Sequence, residues 1–271
     1  LKGSISGGIS VNIISKSCFK KVTNLDIIFS DYFNLVRKIE QDTYFLRTMA
    51  VCENACATSD CYKLKSLIYE KEDPYSVSRD EFKIINTGTI GRYVPRWGLQ
   101  EMRYLKDKYL YPVVNREQFL FEFNNSYSEK SKKVKIIIKG LTLLDACLDA
   151  DGSIIPGKST LMIPADLETL YLLLGIINSK LASFYIKEKY ASSSYNGGIN
   201  FNKDMLNNFP VKNGHSEEFN QIRVIVRQII NVKSANYYAD TKFEEGQIDS
   251  ILYNIYGLTA DEISIVENAI R

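Results

Sequence analysis

A single histidine, His215, sits in the polar stretch Lys212-Asn-Gly-His-Ser216, and no second imidazole exists among the 271 residues. Acid–base catalysis by histidine needs a positioned partner, so this loop reads as a solvated connection rather than as part of a catalytic site. Cysteine is sparse as well: Cys18, Cys52, Cys56, Cys61 and Cys147. An odd number in a long chain excludes a disulfide scaffold and fits a reducing, cytoplasmic setting. Cys52, Cys56 and Cys61 cluster, but zinc wants four ligands. No fourth thiol and no nearby histidine accompany them, so half-buried thiols are expected and no metal is assigned.

Other chemistry-bearing patterns are missing too. Gly3, Gly7 and Gly8 do not make a dinucleotide-binding GxGxxG, and there is no P-loop. The Asn/Asp-Pro-Pro-aromatic loop that places a flipped adenine beside a methyl donor is not present. Asp73-Pro74-Tyr75 comes nearest and lacks one proline. The longest apolar helix candidate, near 167–186, is interrupted by Glu168, Asn178, Ser179, Lys180 and Ser183, which argues against a membrane span. The chain opens on Leu1, which fits a start inside a longer polypeptide.

The sequence that remains is that of a folded protein, 45% hydrophobic and 24% charged. Leu25, Ile28, Phe29, Tyr32, Phe33, Val36 and Ile39 recur at helical spacing and predict a leading helix over 24–48. Phe82–Ile85 and Lys133–Lys139 read as strands. In the second, alternation puts Val134, Ile136 and Ile138 on one face and Lys133, Lys135, Ile137 and Lys139 on the other. Asp149, Asp151 and Gly152 then predict a turn, with a returning strand over Ser159–Ile163. Asp166 reads as an N-cap for a helix that places Leu170, Leu174, Ile177, Leu181 and Phe184 on one face and ends near Tyr190. Residues 191–198 read as a polar loop, followed by a short strand near Ile199–Phe201. The final 55 or so residues read as helical, with Gly257 ending one helix and Thr259 with Glu262 forming a capping box for the next. The expected fold class is α+β: a mixed, curved sheet flanked by helices, with a helical C-terminal segment. The expected organisation is a leading helix and linker over 1–45, a recognition domain over 46–212 and a helical segment over 213–271.

The net charge of +2 says little about partners, but its distribution says more. Between Arg92 and Lys139 there are eleven bases, among them Arg103, Lys106, Lys108 and Lys133, against five acids. Tyr93, Trp97, Tyr104, Tyr109, Tyr111 and Phe119 interleave with them. Such a segment suits phosphate contact and base stacking; a solvated basic face is the competing reading. Glu81-Phe82-Lys83, with Asp73 upstream, has the spacing of a carboxylate–metal nuclease. Such triplets are common by chance, and the favoured reading is an edge strand with solvated charges.

Three stretches together resemble a known family. They are Lys135-Ile-Ile-Ile-Lys-Gly140 with Leu148-Asp-Ala-Asp-Gly152, then Tyr171-Leu-Leu-Leu-Gly-Ile-Ile-Asn-Ser-Lys-Leu181 through Leu206-Asn-Asn-Phe-Pro-Val211, and finally Gln247–Glu267. These resemble the TaqI-type C-terminal specificity domain, the target recognition domain of adenine-N6 DNA methyltransferases and of single-chain restriction–modification enzymes. Ile177 stands where the family often has leucine.

The resemblance implies sequence-specific binding of double-stranded DNA, without catalysis by this chain. It also implies a covalently linked N-terminal methyltransferase domain that holds S-adenosylmethionine. No cofactor is expected in the present residues. The candidate DNA contacts are Arg92, Tyr93, Arg96, Trp97, Lys135, Lys139, Lys180 and Asn196. Arginine can grip guanine bidentately and lysine more often meets phosphate. Trp97 is equally well read as a rim aromatic, Asn178 to Lys180 as groups that secure neighbouring backbone, and Asn196 as part of a plain connecting loop. A metal-dependent nuclease fragment and a protein-interaction scaffold remain as alternatives.

Overall fold

The computed structural model describes residues 30–142, 144–195, 198–213 and 215–270. In chain order the helices are α1 Phe33–Ile39, α2 Cys61–Leu67, α3 Arg116–Glu122, α4 Ser126–Ser131, α5 Leu167–Ile177, α6 Lys180–Lys189, α7 Lys203–Asn207, α8 Ser216–Ala235, α9 Lys242–Ile255 and α10 Ala260–Ala269. The strands are β1 Thr43–Phe45, β2 Glu53–Asn54, β3 Tyr69–Glu70, β4 Glu81–Ile85, β5 Met102–Tyr104, β6 Asp107–Tyr109, β7 Pro112–Asn115, β8 Lys135–Lys139, β9 Leu141–Thr142, β10 Ala146–Asp149, β11 Ile154–Pro156, β12 Thr160–Pro164, β13 Ser194–Tyr195, β14 Gly198–Asn200 and β15 Pro210–Lys212. The class is α+β.

Two four-stranded sheets carry the middle of the chain. One has the order β10-β8-β12-β2 and is antiparallel throughout. The other has the order β11-β4-β7-β3, with β11 and β4 parallel. Alternation along β8 holds: Ile136 and Ile138 enter the large helical core, while Ile137 faces the other way. That second face is not solvent. Ile137 and Cys147 meet Ile85 and Ile154 of the other sheet, with Ile90 between them and Trp97 at the rim. The face that alternation gives to Lys135 and Ile137 is thus turned toward the other sheet.

On the far side of the second sheet, Phe82, Ile84, Val114 and Ile155 pack against α2 to α4. Phe119, Phe123 and Tyr127 form a tilted and edge-to-face aromatic cluster there, the arrangement that ring quadrupoles favour. The large core gathers α1, α5, α6, α8, α9 and α10 onto the first sheet. It draws on residues from Leu35 to Val266, thus on all three of the expected segments.

Two helix predictions change. The described part of the leading helix is Phe33–Ile39, and Asp42 with φ +52° turns the chain into β1, which pairs with β15. Residues 24–29 lie outside the described residues. The expected continuous helix over 167–190 is broken into α5 and α6, which meet at a 65° bend. Local caps explain the break. Ser179 accepts a hydrogen bond from the Ala182 N–H and starts a new helix, as N-cap serine does. Asn178 closes α5 and exchanges two hydrogen bonds, both 3.0 Å, with the backbone of Ala146. The Asp166 cap and the Thr259–Glu262 capping box form as expected. Among the described residues no single helix is long and apolar enough to cross a membrane.

Candidate nucleic-acid interface

The residues expected to touch DNA divide sharply by what their side chains already hold. Lys135 is 0% exposed. Its ammonium pairs with Asp149, the residue opposite it in the β8–β10 ladder, and donates to the Ser131 carbonyl at 2.5 Å. Burial pushes the Asp149 carboxyl up and the Lys135 amine down, so each opposes the desolvation of the other. A lysine with no exposed surface reaches no phosphate, and this expectation is corrected. Tyr93 is corrected for the same reason. It is 1% exposed, and its backbone, at φ +69°, exchanges hydrogen bonds with Ala146 and Leu148.

The other cations are half-buried and engaged. Arg92 donates to Glu245 at 2.6 and 3.0 Å and to the Asn178 carbonyl at 2.6 Å. Lys139 pairs with Asp145, and Lys180 pairs with Glu267. Arg96 donates to the Tyr237 hydroxyl and to Gln100. Trp97 donates its indole N–H to the Pro112 carbonyl at 2.8 Å, and the Lys83 ammonium lies 4.7 Å from its ring centre. Asn196 lies outside the described residues. Thus Arg92 and Lys180 fasten α9 and α10 to the Asn178–Ser179 bend. Asp249 completes that junction by accepting from the Lys180 backbone N–H at 2.9 Å. Burial, against the pull of Lys180 and Arg92, raises its carboxyl to about 6.

The carboxylates considered for metal chemistry, Glu81 and Asp73, are also committed. Glu81 accepts hydrogen bonds from the Tyr69 hydroxyl, Lys71 and the Ser78 N–H. Burial opposes its ionisation, but these donors outweigh it and hold the carboxyl at about 2. Asp73 caps the turn at Pro74–Ser76. The cysteine cluster is buried, and burial pushes the Cys56 thiol up to about 12.

A different surface collects unpaired charge. Two depressions of about 460 and 400 Å³ share Leu141, Lys158 and Ser159 and so adjoin as two halves of a groove. Arg103 and Lys108 border the first, Lys158 borders both, and Lys106 stands on the β5–β6 turn beside them. Lys108 pairs with Glu101 at 3.0 Å. Among the described residues Arg103, Lys106 and Lys158 are exposed and their side chains have no ion-pair or hydrogen-bond partner.

The groove is held by three turns that fasten one another. Asn86 accepts from the Gly88 N–H and donates to the Arg103 carbonyl at 2.7 Å. Thr87 donates to the Ser159 carbonyl at 2.6 Å, and Gly140 N–H donates to that same oxygen at 3.0 Å. Leu105, Thr142 and Ser159 lie at φ +52°, +72° and +58°. Such backbone costs a non-glycine residue energy, and strained positions of this kind gather at ligand clamps. Gly198 is required here, because a Cβ would stand 2.3 Å from the Thr142 carbonyl oxygen. The sequence placed Arg103, Lys106 and Lys108 in a basic segment without singling them out, and it gave no notice to Lys158. The signal was the Gly-Lys-Ser turn at 157–159 before a strand.

No protein-family model and no curated protein matches the chain. Among solved structures it is similar to the Type IIL restriction-modification enzyme MmeI in complex with DNA. That match has a TM-score of 0.50 and 9% identity over 81% of this chain and 35% of that one. The type IIG restriction endonuclease BpuSI aligns at a TM-score of 0.46 and 11% identity over 85% of this chain and 34% of that one. The chain thus spans about a third of the length of each. With MmeI it shares a fold.

Proposed function

We propose that this chain is the double-stranded-DNA recognition module of a longer restriction–modification protein, of the TaqI-type specificity class, and that it carries no methyl transfer of its own. The observation that carries the reading is the groove bordered by the unpaired cations Arg103 and Lys158. Cations that no carboxylate neutralises are what a phosphate backbone attracts, and a groove fixed by its own turns can present them without reordering. The shared fold with MmeI, a protein described in complex with DNA, supports the same reading.

In this proposal the recognition face lies within 46–212, and residues 213–271 brace it through the Arg92–Glu245 and Lys180–Glu267 pairs. The adenine-specific methyltransferase domain belongs to the preceding part of the parent protein. S-adenosylmethionine is assigned there, since the present sequence has no glycine-rich turn to hold it. A cytoplasmic location goes with that role.

Titrating a fluorescent duplex at several salt concentrations tests the reading. Binding should weaken steeply with salt, and Arg103→Ala with Lys158→Ala should lower the slope of log affinity against log salt by about two. Salt-independent affinity, or none at low salt, would remove DNA recognition by this chain and favour a protein-interaction scaffold.

A further inference from the structure

The two halves of the groove differ chemically. Glu101 lies on the first, beside Arg103 and Lys108. Among the described residues no carboxylate lines the second. Its lining includes Asn54, Thr58, Lys158 and Asn200 together with the largely buried Leu161 and Phe201. Asn54 sits on β2, paired with Leu161, and Asn200 sits on β14, paired with Leu141. Both are held by strands rather than by free loops. Both are exposed, and among the described residues neither carboxamide has a hydrogen-bond partner. Asn86, Asn115, Asn125, Asn178, Asn202 and Asn207 bond backbone groups, whereas the exposed Asn34, Asn124, Asn231 and Asn254 share the unpartnered state but line neither half of the groove.

We infer that Asn54 and Asn200 are specificity-determining residues that read an A·T base pair from the major groove, while Lys158 holds a neighbouring phosphate. This rests on the DNA-recognition reading above. A carboxamide donates and accepts along one edge, which matches the N6 donor and N7 acceptor of adenine. Lacking a carboxylate, this half of the groove does not repel the backbone. A cation at the border between the two halves sets register without reading sequence.

The test is selection from a randomised duplex library with the full chain, its Asn54→Ala, Asn200→Ala and Lys158→Ala variants, and sequencing of the retained DNA. All three positions are exposed, and circular dichroism checks that each variant folds. Wild type should enrich a motif with an A·T position. Asn54→Ala or Asn200→Ala should relax that position by about 5- to 150-fold, the range set by one bidentate base contact. Lys158→Ala should weaken all sequences alike and lower the salt slope by about one. An unchanged motif in both asparagine variants, or relaxation at a G·C position, overturns the assignment. Retention by wild type without any motif overturns it too, yet leaves DNA binding intact. No retention at low salt removes the DNA reading itself.

Discussion

Lys135 lies in the basic stretch of the sequence and Lys158 stands 23 positions further on, and the fold treats them oppositely. Around Lys135 and Lys139 the chain supplies Asp149 and Asp145 on the neighbouring strand, and Arg92 and Lys180 find Glu245 and Glu267 on the C-terminal helices. Around Lys158 and Arg103 it supplies turns, hydroxyls and carboxamides, with Glu101 engaged by Lys108. The first region uses charge to fix the junction of sheet and helices. The second leaves charge facing outward on a scaffold already fixed by backbone hydrogen bonds. A cation is informative about a ligand when its own protein leaves it without a partner, and density of lysine along the chain does not report that.

The sharpest way to break this contrast is Lys135→Ala. It strands the Asp149 carboxylate in the core, and removing one partner of a buried pair costs about 3–5 kcal/mol. Denaturant unfolding would show it as a lower midpoint. A variant as stable as wild type would mean that Lys135 is not the buried strut described here.

A smaller effect is expected at Asp249. A carboxyl raised to about 6 in the folded protein binds its proton more tightly there than in the unfolded chain. Its contribution to stability is therefore full below its ordinary value of 3.8 and is lost as pH rises through about 6. Asp249→Asn keeps an acceptor for the Lys180 N–H and removes the titration. The variant should gain on the order of 3 kcal/mol over wild type at pH 8 and little at pH 4. Unfolding curves at the two pH values check this, and an equal difference at both would refute it.

The smallest effect on stability belongs to the groove. Replacing both Arg103 and Lys158 by alanine should shift unfolding by no more than about 0.5 kcal/mol, as exposed substitutions without partners do. A loss comparable to that of Lys135→Ala would place these cations in the same structural class and dissolve the comparison.

Much of the local architecture was legible in the residues. The Asp166 cap, the Thr259–Glu262 box, the Asp149–Gly152 turn and the alternation along Lys133–Lys139 depend on contacts within a few positions, which spacing encodes. The α5–α6 break was not, because apolar spacing continues straight through Asn178 and Ser179. Only the Ala146 backbone, 32 residues upstream, makes that asparagine an end. A signal for the lysine pairing was present and unused. Lys135 and Lys139 are four apart, as are Asp145 and Asp149, so an antiparallel hairpin brings each lysine to an aspartate.

What the sequence determined by itself was the class of fold, the places where helices start and turns occur, and a basic, aromatic middle, because these depend on composition and short-range geometry. The tertiary structure decided which cations are buried and which face outward. It brought the turns at Thr87, Leu105 and Ser159 to one groove, though they lie up to 72 residues apart in the chain. Desolvation and pairing depend on what folds against a side chain, and the second sheet and the C-terminal helices supply those partners from far along the sequence.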